Sequence, residues 1–442
     1  MKYELTGLLL AVAIFSLVPS TLAVGQEEHL VAVLFDIGGR GDLSFNDMAA
    51  YGAEVAKSKL EQEGYTVHVT EFTPASSAEY ETQLATFSES GRYDILCCIG
   101  FLWTDALNKT APKYPDQHYM IIDAVVDQPN VMSIVFRENE GSALVGAAAA
   151  AVTSTGKVAV VLGMEIPILW KFEIGYAFGA KWMAKELGKD IEIAYVYTGT
   201  FGDPSKGREA ATTFLDQGFD VIYAAAGATG LGVLDACYDR AVATGKPIFS
   251  IGVDADQDYI HPGYVLCSMR KKVDYGVELA VTKAVKGEFE PGILSLGLKE
   301  GGVGMTTPED MEIWADFLKN AGYSDEEIND IKTKVTEMYN TYLAQYQSKI
   351  DELKNKIING EIEVPVPSPD TIQDLRAEYM GKFTFAPPTT TPAPTTTAPP
   401  TTTPAPTTPP PEEKPKTGLI VAVVVIIVIV IAAAALMMRK KE

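Results

Sequence analysis

Carboxylates, one amide, a lysine and two phenylalanines recur in this chain at one kind of place, directly after a short apolar run. Asp36 follows the first such run and opens a glycine-rich loop leading through Arg40, Gly41, Asp42 and Ser44 to Phe45 and Asn46. Gly100 follows the run at 95–99, Asp123 ends the run at 119–123, and Phe201 and Asp203 follow 191–197. Gly227 follows 221–225, Asp254 follows 247–253 and Lys271 follows 265–269. Carboxylates accept charge-assisted hydrogen bonds from vicinal hydroxyls, an ammonium donates to ring oxygens, and aromatic faces stack on a flat base. The set suits a neutral, hydroxyl-bearing ring. It suits binding better than catalysis, because no nucleophile–base pair is evident and the histidines, at 29, 68, 118 and 261, are scattered. A single Asp after a strand is more often a helix cap than a ligand contact; its repetition at successive strand ends is what points to a ligand.

Short β-rich apolar runs alternating with amphipathic stretches must position these residues. Strands are expected at 29–35, 66–70, 95–99, 119–123 and 132–136, with helices at 46–62, 77–90 and 105–110 between them. After Arg137 the rhythm restarts: helices at 142–153, 169–187, 206–217 and 231–244 alternate with strands at 158–162, 191–197, 221–225 and 247–253. Such alternation is the pattern of a parallel sheet covered on both faces, whose ligands sit off the carboxyl ends of the strands. Two copies of the pattern predict two similar α/β lobes.

The ends of the chain bound where the lobes work. Residues 1–24 read as a secretory signal, with Lys2, an apolar core and small residues near Ala23. Residues 386–417 form a Thr/Pro-rich linker, extended at ~3.1 Å per residue. Residues 419–438 carry no charge and at about 1.5 Å per residue are long enough for one membrane-spanning helix. The basic residues in the tail at 439–442 place that tail in the cytoplasm and residues 25–385 at the cell surface. A net charge of −22 excludes a nucleic-acid partner. Cys97 and Cys98 are neighbours in one strand and point to opposite faces, so they are expected, with Cys237 and Cys267, as buried free thiols. No Cys/His spacing suits zinc, and no cofactor is expected. The sequence Asp254-Ala-Asp256-Gln-Asp258 imitates a calcium loop but has Tyr259 at the sixth position and Val265 at the twelfth. Arg40-Gly41-Asp42 is a turn rather than an adhesion motif, and Gly227-Ala-Thr-Gly-Leu-Gly232 has the wrong spacing for a dinucleotide fingerprint.

Eight strings in order carry a resemblance. Asp36-Ile-Gly-Gly with Ser44-Phe45-Asn46, Ile99-Gly-Phe101, Phe136-Arg-Glu-Asn-Glu-Gly141 and Gly199-Thr-Phe201-Gly-Asp203 open the series. Ala225-Ala-Gly-Ala-Thr-Gly230, Ile251-Gly-Val-Asp254, Ser268-Met-Arg-Lys271 and Ile358-Asn-Gly360-Glu-Ile-Glu-Val-Pro365 complete it. From about Val31 to Pro365 the chain resembles the basic membrane protein family of ABC-transporter substrate-binding proteins, purine-nucleoside receptors among them. The resemblance implies a type I periplasmic-binding-protein fold, two Rossmann-like lobes joined by a three-crossing hinge. Lobe 1 would comprise about 28–135 and 254–294 and lobe 2 about 136–253 and 295–385, with crossings near Val135-Phe136, Val253-Asp254 and Leu294-Ser295. It also implies roles. Asn46 and Asp123 would bond a purine edge, Phe45 and Phe201 would sandwich the base, and Asp254, Lys271 and the Gly227 amide would hold ribose hydroxyls, with Asp36 and Gly100 beside them. The partners implied are a membrane permease and its ATPase subunits.

The chain departs from that family in three features. The anchor is a C-terminal helix instead of an N-terminal lipid. A long charged helical insertion, 308–320 and 325–356, is expected as a solvated hairpin on lobe 2. Arg40 is a bulky cation beside the expected pocket, which points toward a more anionic ligand. Three readings stay open: a nucleoside receptor of an importer, the same fold taking another small polar solute as receptor or sensor, and a surface nucleoside-processing enzyme.

Overall fold

A computed structural model of the protein describes residues 28–320 and 322–380. The expected signal, linker, membrane span and cytoplasmic tail lie outside the described residues. Among the described residues no helix is long and apolar enough to cross a membrane.

The first half alternates as its sequence pattern requires. β1 (Glu28–Leu34), α1 (Phe45–Gln62), β2 (Thr66–Phe72), α2 (Tyr80–Glu89), β3 (Ile95–Cys98), α3 (Thr104–Thr110), β4 (Tyr119–Ile122) and β5 (Val131–Phe136) follow in order. The second half runs α4 (Glu138–Val152), β6 (Lys157–Leu162), α5 (Pro167–Leu187), β7 (Glu192–Tyr197), α6 (Pro204–Asp216), β8 (Val221–Ala225), α7 (Ala228–Thr244), β9 (Phe249–Asp254) and β10 (Val265–Lys271). Then come α8 (Val273–Val285), β11 (Gly292–Leu296), β12 (Val303–Met305), α9 (Asp310–Asn320), α10 (Asp325–Met338), α11 (Gln347–Ile358) and α12 (Ile372–Tyr379).

Two sheets result, in the orders β11-β5-β4-β3-β1-β2 and β12-β10-β9-β8-β6-β7. All pairings are parallel except β12 with β10, which is antiparallel. The central strands are buried on both faces, which accounts for their continuous apolar runs. Cys97 and Cys98 enter different core clusters on opposite faces, and all four cysteines are free and buried. Burial pushes the Cys97 thiol up to about 12 and leaves it inert at neutral pH.

Two expectations need correction. The second crossing does not fall at Val253-Asp254. β10 lies beside β9, with Met269 opposite Val253, so residues up to Lys271 stay in the second sheet and the chain crosses between Lys271 and Val273. α8 then returns to pack against α1 in the first lobe. The first and third crossings fall at Phe136 and Leu296, next to their expected places. Lobe 1 therefore holds 28–136 and 273–296, and lobe 2 holds 137–271 and 297–380. Strand partnership is a long-range choice between two equally apolar sheets, and nothing local to Asp254 signals it.

The insertion is not a solvated hairpin. Ile328, Ile331, Val335 and Met338 of α10 and Ile350, Leu353 and Ile357 of α11 are buried, spaced three to four apart within each helix and, with the buried Leu343 between them, continuous with the main core. α9 reaches across the lobes: Trp314 stacks on Tyr51 of α1 at 6.2 Å and Phe317 meets the same ring edge-on at 5.8 Å, while Arg270 of β10 lies over Trp314.

Candidate functional site

A cleft of about 650 Å³, its open mouth included, lies between the lobes at the carboxyl ends of both sheets. All nine residues singled out from the sequence line it: Asp36, Phe45, Asn46, Gly100 and Asp123 from lobe 1, and Phe201, Gly227, Asp254 and Lys271 from lobe 2. The two phenylalanines thus face one space from opposite lobes.

The Asp36–Asn46 loop is built around two buried carboxylates. Asp42 accepts hydrogen bonds from the backbone N–H groups of Ser44, Asn46 and Asp47 at 2.9–3.1 Å and so caps α1. It also receives the Asn46 side-chain N–H at 3.1 Å, while Asn46 Oδ1 accepts the Asp36 N–H at 3.1 Å. Asp36 in turn accepts from the Tyr80 hydroxyl at 2.5 Å and the Ile37 N–H at 2.7 Å. Gly100 (φ +112°) is required beside it, since a Cβ there would come within 2.4 Å of Asp36 Oδ2. Gly163 makes room in the same way for the Phe201 ring, 2.2 Å from where its Cβ would stand.

Asp123 and Asp254 both sit in the left-handed region, at φ +69° and +63°. Aspartate tolerates that conformation better than most side chains, and such strain concentrates at binding sites. Across the cleft Lys271 Nζ donates to Asp123 Oδ2 at 2.6 Å. The Ser44 hydroxyl lies 3.0 Å from the Val253 carbonyl and 3.3 Å from Asp254 Oδ2, and the Gln257 side chain donates to the Leu43 carbonyl at 2.9 Å. The lobes therefore touch through polar contacts at the cleft floor. Asp123 Oδ1 and Asp254 Oδ1 are buried with no hydrogen-bond partner.

Burial sets the electrostatics. It pushes the carboxyls of Asp36 and Asp42 up to about 6 and that of Asp254 up to about 7, and it raises Asp123 against the opposing pull of Lys271. For Lys271 burial works against the charge, but Asp123, Glu138 and Asp254 together outweigh it, so the ammonium is held above the ordinary range. Its neighbours include the Phe45, Phe136 and Phe172 rings at 5.0–5.5 Å.

Arg40 does not enter the cleft. Half exposed, it pairs with Asp47 at 2.7 Å and Glu71 at 2.6 Å, which removes the reason to expect an anionic ligand. Asp203 is the helix cap that any lone strand-end Asp was suspected of being, accepting from Ser205 and Lys206 at the start of α6. Asp42 is buried in a capping role unsuited to adhesion. Asp258 of the calcium-like string accepts the Ser268 and Thr306 hydroxyls, and among the described residues no His/Cys/Asp/Glu group is arranged for a metal.

The sequence reading missed the apolar wall. Ile166, Ile168, Leu169 and Phe172, at the start of α5, line the cleft, as do Ile37 and Val253. A search for polar residues after strands passes over them, although Pro167 at the first position of α5 marks where that wall begins.

Comparison with known proteins places this geometry. Residues 29–368 match the Bmp family, described as PnrA-like ABC transporter substrate-binding proteins. An uncharacterized lipoprotein of Pyrococcus horikoshii is 39% identical over 383 residues, which cover 83% of this chain and 93% of its own. The ABC transporter nucleoside-binding protein BmpA of Lactococcus lactis is 34% identical over 290 residues, 62% of this chain and 80% of that one. Among solved structures, an ABC transporter solute-binding protein from Aeropyrum pernix shares 40% identity with a TM-score of 0.74, covering 79% of this chain and 98% of that one.

Proposed function

The chain belongs to the Bmp family of PnrA-like ABC transporter substrate-binding proteins, and from that premise we propose that its cleft binds a purine nucleoside and delivers it to a membrane permease driven by ATPase subunits. One observation carries the choice of ligand. Two carboxylate oxygens, Asp123 Oδ1 and Asp254 Oδ1, are buried and unpaired in a cleft that phenylalanines enter from both lobes. An unpaired buried acceptor costs about 1–3 kcal/mol or more, so the favoured ligand brings donors to both and a flat apolar surface between them. A nucleoside does so, with ring N–H groups at one end and ribose hydroxyls at the other.

In this reading Phe45 and Phe201 sandwich the base. Asp123 accepts from the base edge, beside the second Asn46 N–H, the one not donated to Asp42. Asp254 and Lys271 take the ribose hydroxyls, with the Gly227 amide beside them, and Asp36 closes the base end. Phosphorylated ligands are disfavoured, because Asp36, Asp42, Asp123 and Asp254 face a single lining ammonium. Contacts from both lobes mean that the ligand stabilises their approach by differential binding. The Pyrococcus relatives are named lipoproteins, which supports a membrane-anchored protein; the anchor proposed for this chain is its uncharged segment 419–438. Scanning fluorimetry against inosine, guanosine, adenosine, free bases, sugars and nucleoside monophosphates tests the reading. It requires a thermal shift with at least one purine nucleoside that is lost in Asp254→Ala. A shift with a sugar alone would replace the ligand class, and release of free base from a nucleoside would make the protein an enzyme.

A further inference from the structure

From the cleft lining inward, four side chains of alternating charge form a row. Asp123 of lobe 1 holds Lys271 at 2.6 Å. Lys271 lies 3.2 Å from Glu138 Oε1, in an orientation that makes an ion pair without a hydrogen bond. Glu138 Oε2 is held at 3.0 Å by Lys171 of α5, which also donates to the Phe136 carbonyl at 3.1 Å. Glu138 is fully buried yet does not line the cleft, and neither does Lys171. The row brackets two hinge crossings: Glu138 stands two residues past β5, and Lys271 is the last residue of β10.

A buried carboxylate with no ligand to touch needs a reason to be kept. Lys271 has two carboxylates in the cleft that compete for it, Asp123 and Asp254, and the structure shows it on the first, with Asp254 Oδ1 left without a partner. Glu138, which is not part of the cleft lining, gives the ammonium a further counter-charge at 3.2 Å, and Lys171 holds Glu138 at 3.0 Å.

We propose that Glu138, backed by Lys171, is a positioning residue for ligand recognition, holding the Lys271 ammonium off Asp254 so that this carboxylate stays free to accept the ligand's hydroxyls. The inference rests on the nucleoside reading and deepens it, since it assigns hydroxyl selectivity to residues that never touch the ligand. Without Glu138 the nearest remaining counter-charges are Asp123 and Asp254. Lys271, keeping its bond to Asp123, then also closes on Asp254, and the hydroxyl-bearing part of the ligand loses its acceptor while the base end is unchanged.

The test compares, by calorimetric titration of the full chain, the best-binding purine ribonucleoside with its 2′,3′-dideoxy counterpart. Glu138→Gln and Lys171→Met are each expected to weaken the ribonucleoside about tenfold, the scale of one charged hydrogen bond, and to leave the dideoxy compound within about twofold. Lys171→Arg, which keeps the charge, is expected to bind as the wild type does. Equal weakening of both ligands would reveal a merely structural role and overturn the proposal, as would no change in either. If Glu138→Gln does not fold, the partly exposed Lys171→Met decides alone. Wild-type protein that binds no purine nucleoside overturns the reading beneath and this proposal with it.

Discussion

The Asp254 carboxyl is pushed up to about 7 by burial, so with the proposed role for it ligand affinity and stability should change in the same pH window with opposite signs. In the unfolded chain it ionises near its ordinary value of about 3.9. Between about pH 4 and 7 the folded state therefore binds more protons than the unfolded state at this site, and its contribution to stability falls as pH rises. Asp254→Asn lacks that titration, so the ligand-free variant should gain on wild type from about pH 4 to 7 and hold a constant margin above, as read from denaturation midpoints across pH. Nucleoside affinity of the wild type should rise through the same window, because the ionised carboxylate is the stronger acceptor. Flat affinity between pH 5 and 8 would contradict a hydroxyl-binding Asp254. The sequence showed this residue because it follows an apolar run; its left-handed backbone and unpaired oxygen became visible only in the folded chain.

Among the elements, α5 does two jobs: its first turns wall the cleft and its middle anchors α12, the last helix of the described residues. The fully buried Glu173 accepts both the Nε and the Nη2 of Arg376, at 2.6 and 2.8 Å, and the Tyr197 hydroxyl at 2.6 Å. Arg376→Met leaves that carboxylate without its cation and should cost about 3–5 kcal/mol in a denaturant titration; a loss under about 1 kcal/mol would show the pair to be dispensable. α9 links the lobes through Trp314, Phe317 and Tyr51. Tyr51→Ala removes aromatic contacts worth about 0.5–1.5 kcal/mol each from the apposed arrangement. Nucleoside binding should weaken a few-fold to about tenfold, and X-ray scattering of the ligand-free protein should report a larger radius of gyration. Unchanged affinity and radius would mean that α9 does not bias the lobes. The alternation of β1 to β9 with their helices was legible, because an apolar run between glycine and polar residues can hardly be anything else in so regular a series. The role of α9 was not. Its charged residues suggested a solvated helix, and only the placement of Tyr51 opposite Trp314 shows what its apolar face covers.

At the scale of the whole molecule, a chain that crosses three times between two sheets places its strand ends on both sides of one cleft, and the nine residues expected to bind lie there, while Asp203 of the same strand-end set caps a helix instead. That much could be read from sequence, because loops at carboxyl strand ends gather wherever parallel sheets form. Which lobe owns Lys271 could not, since the pairing of β10 with β9 is decided between segments rather than within one. The difference matters: with Lys271 in lobe 2, its bond to Asp123 spans the cleft, so under the proposed function ligand binding and lobe contact draw on the same charges. The most direct test is calorimetric titration of the full chain with purine nucleosides beside their 5′-monophosphates and free ribose. One nucleoside should bind per chain, with neither monophosphate nor ribose competing; binding of a monophosphate or of ribose with every nucleoside silent would contradict the account.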